Sequence, residues 1–342
     1  MSSIIKNSKL KGAIIGFGKL GLLHLAQFNS HPDVEIIAIC ENEKILCNII
    51  KKNFTDFLVT DDYKELIKKN LDFVAVCTPT DKHFEIIEFF LHNKLPVFSE
   101  KPLARNLDEA VILQKLSNTN NTLLYAGYMY EFYETFNQAF DLIINKKIIG
   151  NLIYSKNEMY VSQLLKKPKK TNWRFIKKKS GGGVLITQTS HLIYLALKFF
   201  GKHKKCHSFT KKIFSEENED YSHIMLKFDN DVICSIDASW SVLNYRTPFL
   251  KMFIEGSEGT ISITEDKIEL FLSEDKLGYS KGMNKISKLE LFENTYYNVA
   301  GAHYAHQANC FINLLKNKEV DSEKLTLSVE TNRIIQEVYN NE

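Results

Sequence analysis

Lys11-Gly-Ala-Ile-Ile-Gly16-Phe-Gly18-Lys-Leu-Gly21 is the stretch that decides the fold. Ala13, Ile14 and Ile15 form a short apolar strand, and Lys19 to Asn29 follows at once with a helical pattern. The G-x-G-x-x-G spacing between them has a mechanical meaning. Gly16 allows the tight turn, Gly18 lets backbone approach a pyrophosphate, and Gly21 lets the helix pack closely on the strand. Unpaired N–H groups at the start of the helix attract the anion. A second apolar run, Val34-Glu-Ile-Ile-Ala-Ile-Cys40, ends in Glu41, where a carboxylate can accept hydrogen bonds from ribose hydroxyls. A carboxylate there repels a 2′-phosphate, so the reading is NAD, with NADP the lesser alternative because Lys44 is close by.

Outward from this unit, strand-like and helix-like segments alternate through the first third of the chain. Strands are predicted at 12–15, 34–40, 57–60, 73–77, 96–99 and 122–126, and helices at 20–29, 44–53, 63–69, 83–93 and 107–117. This is the pattern of a doubly wound parallel sheet. After Gly127 the pattern changes. A helix at 133–145 leads to a strand region at 151–163, a lysine-rich loop, and the triplet Gly181–Gly183 opening a helix up to Phe200. Alternating, β-branched and aromatic runs then extend from Lys204 to Phe271, and helices return at 304–316 and 328–339. The expected fold class is α/β: a Rossmann domain over residues 1–127, then an α+β domain over 128–342 with a large, mostly antiparallel open sheet. Residues 275–287 read as a flexible loop.

Composition bounds the function. A chain of 342 residues with 44% apolar and 25% charged residues suits two globular domains with sizeable cores. A net charge of +3 gives no general case for nucleic acid or an acidic membrane. The six cysteines, at 40, 47, 77, 206, 234 and 310, form no C-x-x-C pair and no zinc-spaced cluster, so they read as reduced packing residues and no metal is expected. Residues 1–11 contain no apolar signal segment, and no run is long enough to span a bilayer. A cytoplasmic protein with no membrane partner is the expectation.

In a wound sheet the ligand lies beyond the carboxyl ends of the strands. Two such places stand out: Cys77-Thr78-Pro79-Thr80 with His83 after it, and Ser99-Glu100-Lys101-Pro102. A proline in each turn fixes the local backbone and suits a rigid platform. The expected cofactor set from this placement is Gly16, Phe17, Gly18, Lys19, Leu20, Gly21, Glu41, Thr78, Pro79, His83 and Lys101, with two ordinary proline turns the alternative reading of the later positions.

These residues carry a resemblance. The glycine motif with His24 after it, Thr78-Pro-x-x-x-His83 and Glu100-Lys101-Pro102 resemble the Gfo/Idh/MocA oxidoreductases, the family of glucose-fructose oxidoreductase and inositol dehydrogenase. The resemblance extends through Ser180-Gly-Gly-Gly-Val-Leu with His191, Ile254-Glu-Gly256 with Glu258-Gly259, and Tyr304-x-x-Gln307-x-x-x-Phe311. It implies reversible hydride transfer between NAD and a hydroxyl carbon of a sugar, nucleotide-sugar or cyclitol. It assigns the hydroxyl proton to Lys101 and a cofactor-side acceptor role to Glu100. It further implies that His191 acts in catalysis or binds a substrate hydroxyl, with Thr187 and Tyr304 also in the substrate set. A lysine that must lose its proton near neutral pH needs partial burial or a nearby cation, which agrees with Lys101 in that role.

The chain departs from the family in three places. Thr187 stands where an aspartate is usual, Tyr194 where a second aspartate often follows, and Glu131 where an arginine is common, which implies a different contact there. The run Lys166 to Lys179 is the strongest local charge, and the resemblance sets it beside the substrate. Its cations suit a carboxylate or diphosphate, with Trp173 and Arg174 the inward candidates; a solvated lysine-rich loop is the plainer reading. The expected partners are a small sugar or cyclitol, anionic in the first of those readings, and a second copy of the chain in a homodimer or homotetramer. Two alternatives stay open: a redox-assisted sugar-modifying enzyme with tightly held NAD, and a non-catalytic NAD-binding regulator on the same scaffold.

Overall fold

A computed structural model describes residues 9–168, 172–295 and 297–341. The chain divides into two compact units. The first comprises Met1–Leu103, Asp108–Gly127 and Thr295–Leu325, and the second comprises Ala104–Leu107, Tyr128–Asn294 and Thr326–Glu342.

The first unit alternates strand and helix in chain order: β1 (Leu10–Ile15), α1 (Lys19–Ser30), β2 (Val34–Cys40), α2 (Lys44–Asn53), β3 (Leu58–Thr60), β4 (Phe73–Val76), α3 (His83–His92), β5 (Val97–Ser99), α4 (Leu107–Asn120) and β6 (Leu124–Ala126). Among the described residues these strands make one six-stranded sheet of order β3-β2-β1-β4-β5-β6, parallel throughout. Its strands are apolar on both faces, as a sheet covered on both sides requires. The order reverses between β1 and β4, which is where a wound sheet opens a crevice for a ligand. Ile15, the last residue of β1, pairs with Cys40 on one side and Val76 on the other, so the turns after these three strands emerge together.

Two later helices follow the second sheet in sequence, and one returns to this unit. Phe311 sends its ring among Phe28, Phe73, Phe98 and Tyr125, with centroids 5.3 to 6.0 Å apart. Burying a ring of this size stabilises by roughly 1.5–3 kcal/mol, enough to fix a segment so distant in sequence onto the first sheet.

The second unit is built on α5 (Glu134–Phe140), β7 (Leu152–Tyr160), α6 (Lys177–Ser180), α7 (Ser190–Phe200), β8 (His203–Lys211), β9 (Tyr221–Phe228), β10 (Ile233–Ser239), β11 (Phe249–Gly256), β12 (Gly259–Thr264), β13 (Lys267–Leu272) and β14 (Gly282–Ser287). The helices after it are α8 (Ala302–Asn317), which carries Phe311, and α9 (Ser322–Asn340). Among the described residues the eight strands form one sheet of order β14-β13-β12-β11-β7-β10-β9-β8, antiparallel except for the β7–β10 pair. Alternation sets its faces. Ile224, Leu226, Ile236, Met252, Ile254, Ile261, Ile263 and Leu270 point to the core, and the intervening Lys156, Glu158, His223, Asp237 and Lys251 make up the other face. Against the core face lies α7, of which every residue but Lys198 is buried.

One expectation is corrected. Residues 275–287 are not a loop throughout: Gly282–Ser287 form the edge strand β14, paired from Leu272↔Gly282 to Lys267↔Ser287. Only Ile286 of this strand is buried, and an edge strand with so little apolar content gives a weak sequence signal. Among the described residues, no helix is long and apolar enough to cross a membrane.

Candidate functional site

The three glycines of the first turn divide their roles as their geometry demands. Gly16 has φ +86°, and a Cβ on it would meet Thr78 at 2.9 Å. A Cβ on Gly21 would lie 2.0 Å from the Gly16 carbonyl oxygen, so α1 could not seat against the turn. Gly18 has ordinary backbone, and a Cβ on it would meet nothing within 4 Å; it is exposed at the helix start, an open cradle of the kind that backbone approach to a pyrophosphate needs. Lys19 is exposed beside it and Leu20 half-buried.

Glu41 is held by two backbone donors. Its Oε2 accepts from Phe17 N–H at 2.7 Å and its Oε1 from Glu43 N–H at 2.9 Å. A carboxylate has capacity for further acceptance, so this one is oriented and still able to take ribose hydroxyls. Phe17 is itself fixed edge-on against Phe54, with centroids 5.2 Å apart. A second observation fits a bound dinucleotide: Thr78, at the β4 turn, keeps a buried hydroxyl with no hydrogen-bond partner among the described residues. Such an atom calls for an external group. Pro79 beside it is half-buried.

His83 ties two turns together. Its Nδ1 lies 2.9 Å from the Pro102 carbonyl and its Nε2 3.0 Å from the Thr78 carbonyl. Burial lowers its pKa, against the pull of those two carbonyls, and the single proton of the neutral ring serves one of them. Both ring nitrogens are thus turned to backbone and stiffen the platform.

Glu100 is buried, with Oε1 2.6 Å from His24 Nε2 and Oε2 accepting the Lys101 backbone N–H at 3.3 Å. Burial alone would raise its pKa. The His24 hydrogen bond, with the charges of His24 and Lys101, outweighs burial and holds the carboxyl below its usual range. Lys101 is half-buried. Tyr304, on α8, completes this group from a distant part of the sequence: its ring stands edge-on to His24 at 6.1 Å and tilted against His303 at 4.7 Å. Burial pushes the Cys40 thiol up to about 12 and Cys77 well above its usual value, which makes both inert packing thiols.

In the second unit the glycine triplet has a structural cause. The Gly183 and Leu185 N–H groups donate to Glu219 Oε1 at 2.8 and 3.1 Å, and the Tyr339 hydroxyl donates to the same atom at 2.9 Å. A Cβ on Gly182 would fall 1.8 Å from that hydroxyl. Glu219 thereby caps the helical turn of residues 185–189 that leads into α7 and carries Thr187. Thr187 is half-buried and donates its hydroxyl to the Gly183 carbonyl at 2.7 Å. His191, four residues on, is buried between aromatic rings, 4.5 Å from Tyr130 and 5.7 Å from Tyr128.

Glu131 and Tyr194, two of the departures from the family pattern, belong to one arrangement that sequence reasoning missed. Tyr194 stacks on Tyr128 at 4.2 Å and donates its hydroxyl to Glu131 Oε1 at 3.2 Å. Lys198 closes an ion pair on Glu131 Oε2 at 2.6 Å. Lys198, a cation one turn beyond Tyr194, was the available signal.

The basic run is dispersed rather than focused. Lys167 pairs with Glu216, Lys177 lies over the Tyr339 ring at 5.4 Å, and the part at 169–171 lies outside the described residues. Trp173 and Arg174 are half-buried and stacked on one another at 4.7 Å, whereas Phe175 is the buried neighbour, packed on Trp240. A cavity of about 320 Å³ beside this segment is lined by Lys167, Glu216 and Glu217 among others, and two carboxylates do not favour an anion.

Comparisons with known proteins extend these observations. Residues 10–128 match the family model described as oxidoreductase family, NAD-binding Rossmann fold, and residues 138–262 match the GFO/IDH/MocA C-terminal domain, together well over half of the chain. D-glucoside 3-dehydrogenase of Escherichia coli is 25% identical over 62% of this chain and 61% of its own length. Myo-inositol 2-dehydrogenase of Thermotoga maritima is 26% identical over 40% of this chain and 41% of its own. The chain thus matches less than two thirds of either relative. Levoglucosan dehydrogenase, solved with NADH and levoglucosan, superposes with a TM-score of 0.87 over 97% of both chains; at 18% identity that likeness is one of fold.

Proposed function

Because this chain belongs to the Gfo/Idh/MocA family of NAD-binding oxidoreductases, we propose that it transfers a hydride between NAD and a hydroxyl-bearing carbon of a sugar, nucleotide-sugar or cyclitol. The observation that carries the reading lies within the first unit. The dinucleotide turn at Gly16–Gly21 and the Glu100–Lys101 turn are joined by the His24–Glu100 hydrogen bond, so one helix fixes both. NAD, when bound, supplies the group that accepts or gives the hydride.

Lys101 takes the hydroxyl proton in oxidation and returns it in reduction, a task for an amine that alternates between its neutral and charged forms. His191 and Tyr304 hydrogen-bond substrate hydroxyls, and Thr187, whose hydroxyl already serves Gly183, orients rather than ionises. Trp173 and Arg174 extend the substrate set. The E. coli and Thermotoga relatives, a glucoside and an inositol dehydrogenase by name, favour a neutral polyol over an anionic one. Apolar side chains on the open face of the large sheet, among them Phe209, Met225, Ile233, Phe271 and Met283, support a homo-oligomer.

The test is NADH formation at 340 nm across a panel of hexoses, hexosides and inositols. Wild type should oxidise at least one member, and Lys101→Met should still bind NADH while turnover falls by about 100-fold or more. A Lys101→Met enzyme with unchanged turnover removes the assignment; an inert wild type that still binds NADH removes the enzyme.

A further inference from the structure

The Glu100–Lys101 turn sets a buried carboxylate next in sequence to the amine that the proposed chemistry needs in its neutral form. An anion beside an ammonium favours the charged form. Left free to swing onto the Lys101 side chain, Glu100 would hold the proton there and oppose a base. The geometry commits the carboxylate elsewhere. Its Oε1 is engaged by His24 Nε2 at 2.6 Å, and since an ionised carboxylate only accepts, the imidazole nitrogen is the donor.

His24 is well fixed for this task. It is 2% exposed, and its ring packs on Phe98 at 4.9 Å, Phe28 at 6.0 Å and Tyr304 at 6.1 Å. Besides the Lys101 charge, two other titratable groups face Glu100. His83, opening α3, has its ring nitrogens against the Thr78 and Pro102 carbonyls, and Cys77, after β4, is a neutral thiol. The hydrogen bonds of the carboxylate thus go to His24 and to the Lys101 backbone N–H, while the Lys101 ammonium acts on it by charge.

We propose that His24 is a positioning residue that withholds the Glu100 carboxylate from the Lys101 ammonium, leaving the amine able to exchange a proton at the substrate hydroxyl. This rests on the reading of Lys101 as proton carrier. It gives the buried His24–Glu100 pair a role toward Lys101 beyond packing and beyond any contact of Glu100 with the cofactor. Tyr304 acts on the same device through its edge-on contact with His24.

Opposite pH shifts are the signature. His24→Leu should raise the midpoint of the acidic limb of kcat for polyol oxidation by about one pH unit. Glu100→Gln should lower it, His24→Gln, which keeps a donor, should stay near wild type, and the double variant His24→Leu/Glu100→Gln should follow Glu100→Gln, because no carboxylate remains to be released. The same order should appear without turnover in the ¹³C NMR titration of Lys101 in reductively methylated protein, its signal assigned by loss in Lys101→Met. Shifts of one sign in both single variants, or none in variants that still bind NADH, overturn the proposal. If His24→Leu does not fold, His24→Gln and Glu100→Gln decide: the proposal fails if Glu100→Gln leaves the Lys101 titration in place. An inert wild type whose Lys101 titration moves in the expected order refutes the functional reading and leaves the positioning role intact; activity with unmoved titrations does the reverse.

Discussion

Gly183 and Glu219 approach each other as closely as backbone permits. The Gly183 N–H donates to Glu219 Oε1 at 2.8 Å, and a Cβ on Gly183 would lie 2.0 Å from the Glu219 carbonyl oxygen. That carbonyl in turn accepts the Val184 N–H at 2.9 Å. The glycine triplet is thus where the chain before α7 is pressed onto the segment that enters β9, and its packing there requires glycine.

Gly183→Ala should therefore damage the second unit. The obstructing atom is backbone and cannot rotate aside, so the cost should reach at least the roughly 1–3 kcal/mol typical of overpacking. The Glu219 cap on residues 183 and 185 would be lost with it. Calorimetry should show a lowered melting transition. An alanine variant as stable as wild type would mean that the two segments can part without cost.

Gly18→Ala should behave in the opposite manner. Gly18 has φ −71°, which alanine adopts freely, and an added Cβ meets nothing within 4 Å. Stability should change by no more than about 0.5 kcal/mol. The methyl group instead occupies the space a pyrophosphate needs. Loss of one charge-assisted hydrogen bond, about 1.5–3 kcal/mol, corresponds to a Kd for NADH raised by about 10- to 100-fold, read by the quenching of protein fluorescence. Undiminished NADH binding would place the pyrophosphate elsewhere.

These two glycines show what the sequence makes legible. Gly16, Gly18, Gly21 and Glu41 act within one strand–turn–helix–strand unit, so their spacing alone discloses the first sheet and the dinucleotide turn. The triplet at 181–183 is equally visible, yet its cause is not, because Glu219 and Tyr339 reach it from 36 and more residues away. The same holds for Tyr304, brought beside His24 by α8 and the ring of Phe311. Strand β14 escapes notice for another reason: Met283 is 60% exposed, and Lys285 also points away from the core, so little alternation survives at this edge. Motifs within one supersecondary unit can be read from spacing; pairings made by tertiary packing cannot.

The Glu131–Lys198 pair is one such pairing, and its two halves should respond unequally. The Glu131 side chain is 2% exposed and that of Lys198 22%. Removing the lysine by Lys198→Met takes the Lys198 ammonium from a buried carboxylate to which the Tyr194 hydroxyl also donates, and breaking a buried pair in this sense costs about 3–5 kcal/mol. Removing the acid by Glu131→Gln costs less, because the ammonium can reach water and lies over the Phe140 ring at 5.2 Å. Lys198→Met combined with Glu131→Gln should recover most of the loss, since no uncompensated charge remains. Restoring the family arginine by Glu131→Arg should be the worst single change, setting two cations together, and adding Lys198→Glu should rescue it. Thermal melts of the set decide the matter: if Lys198→Met and Glu131→Gln are equally mild, the pair is solvated and the charge reversal at 131 has no structural consequence.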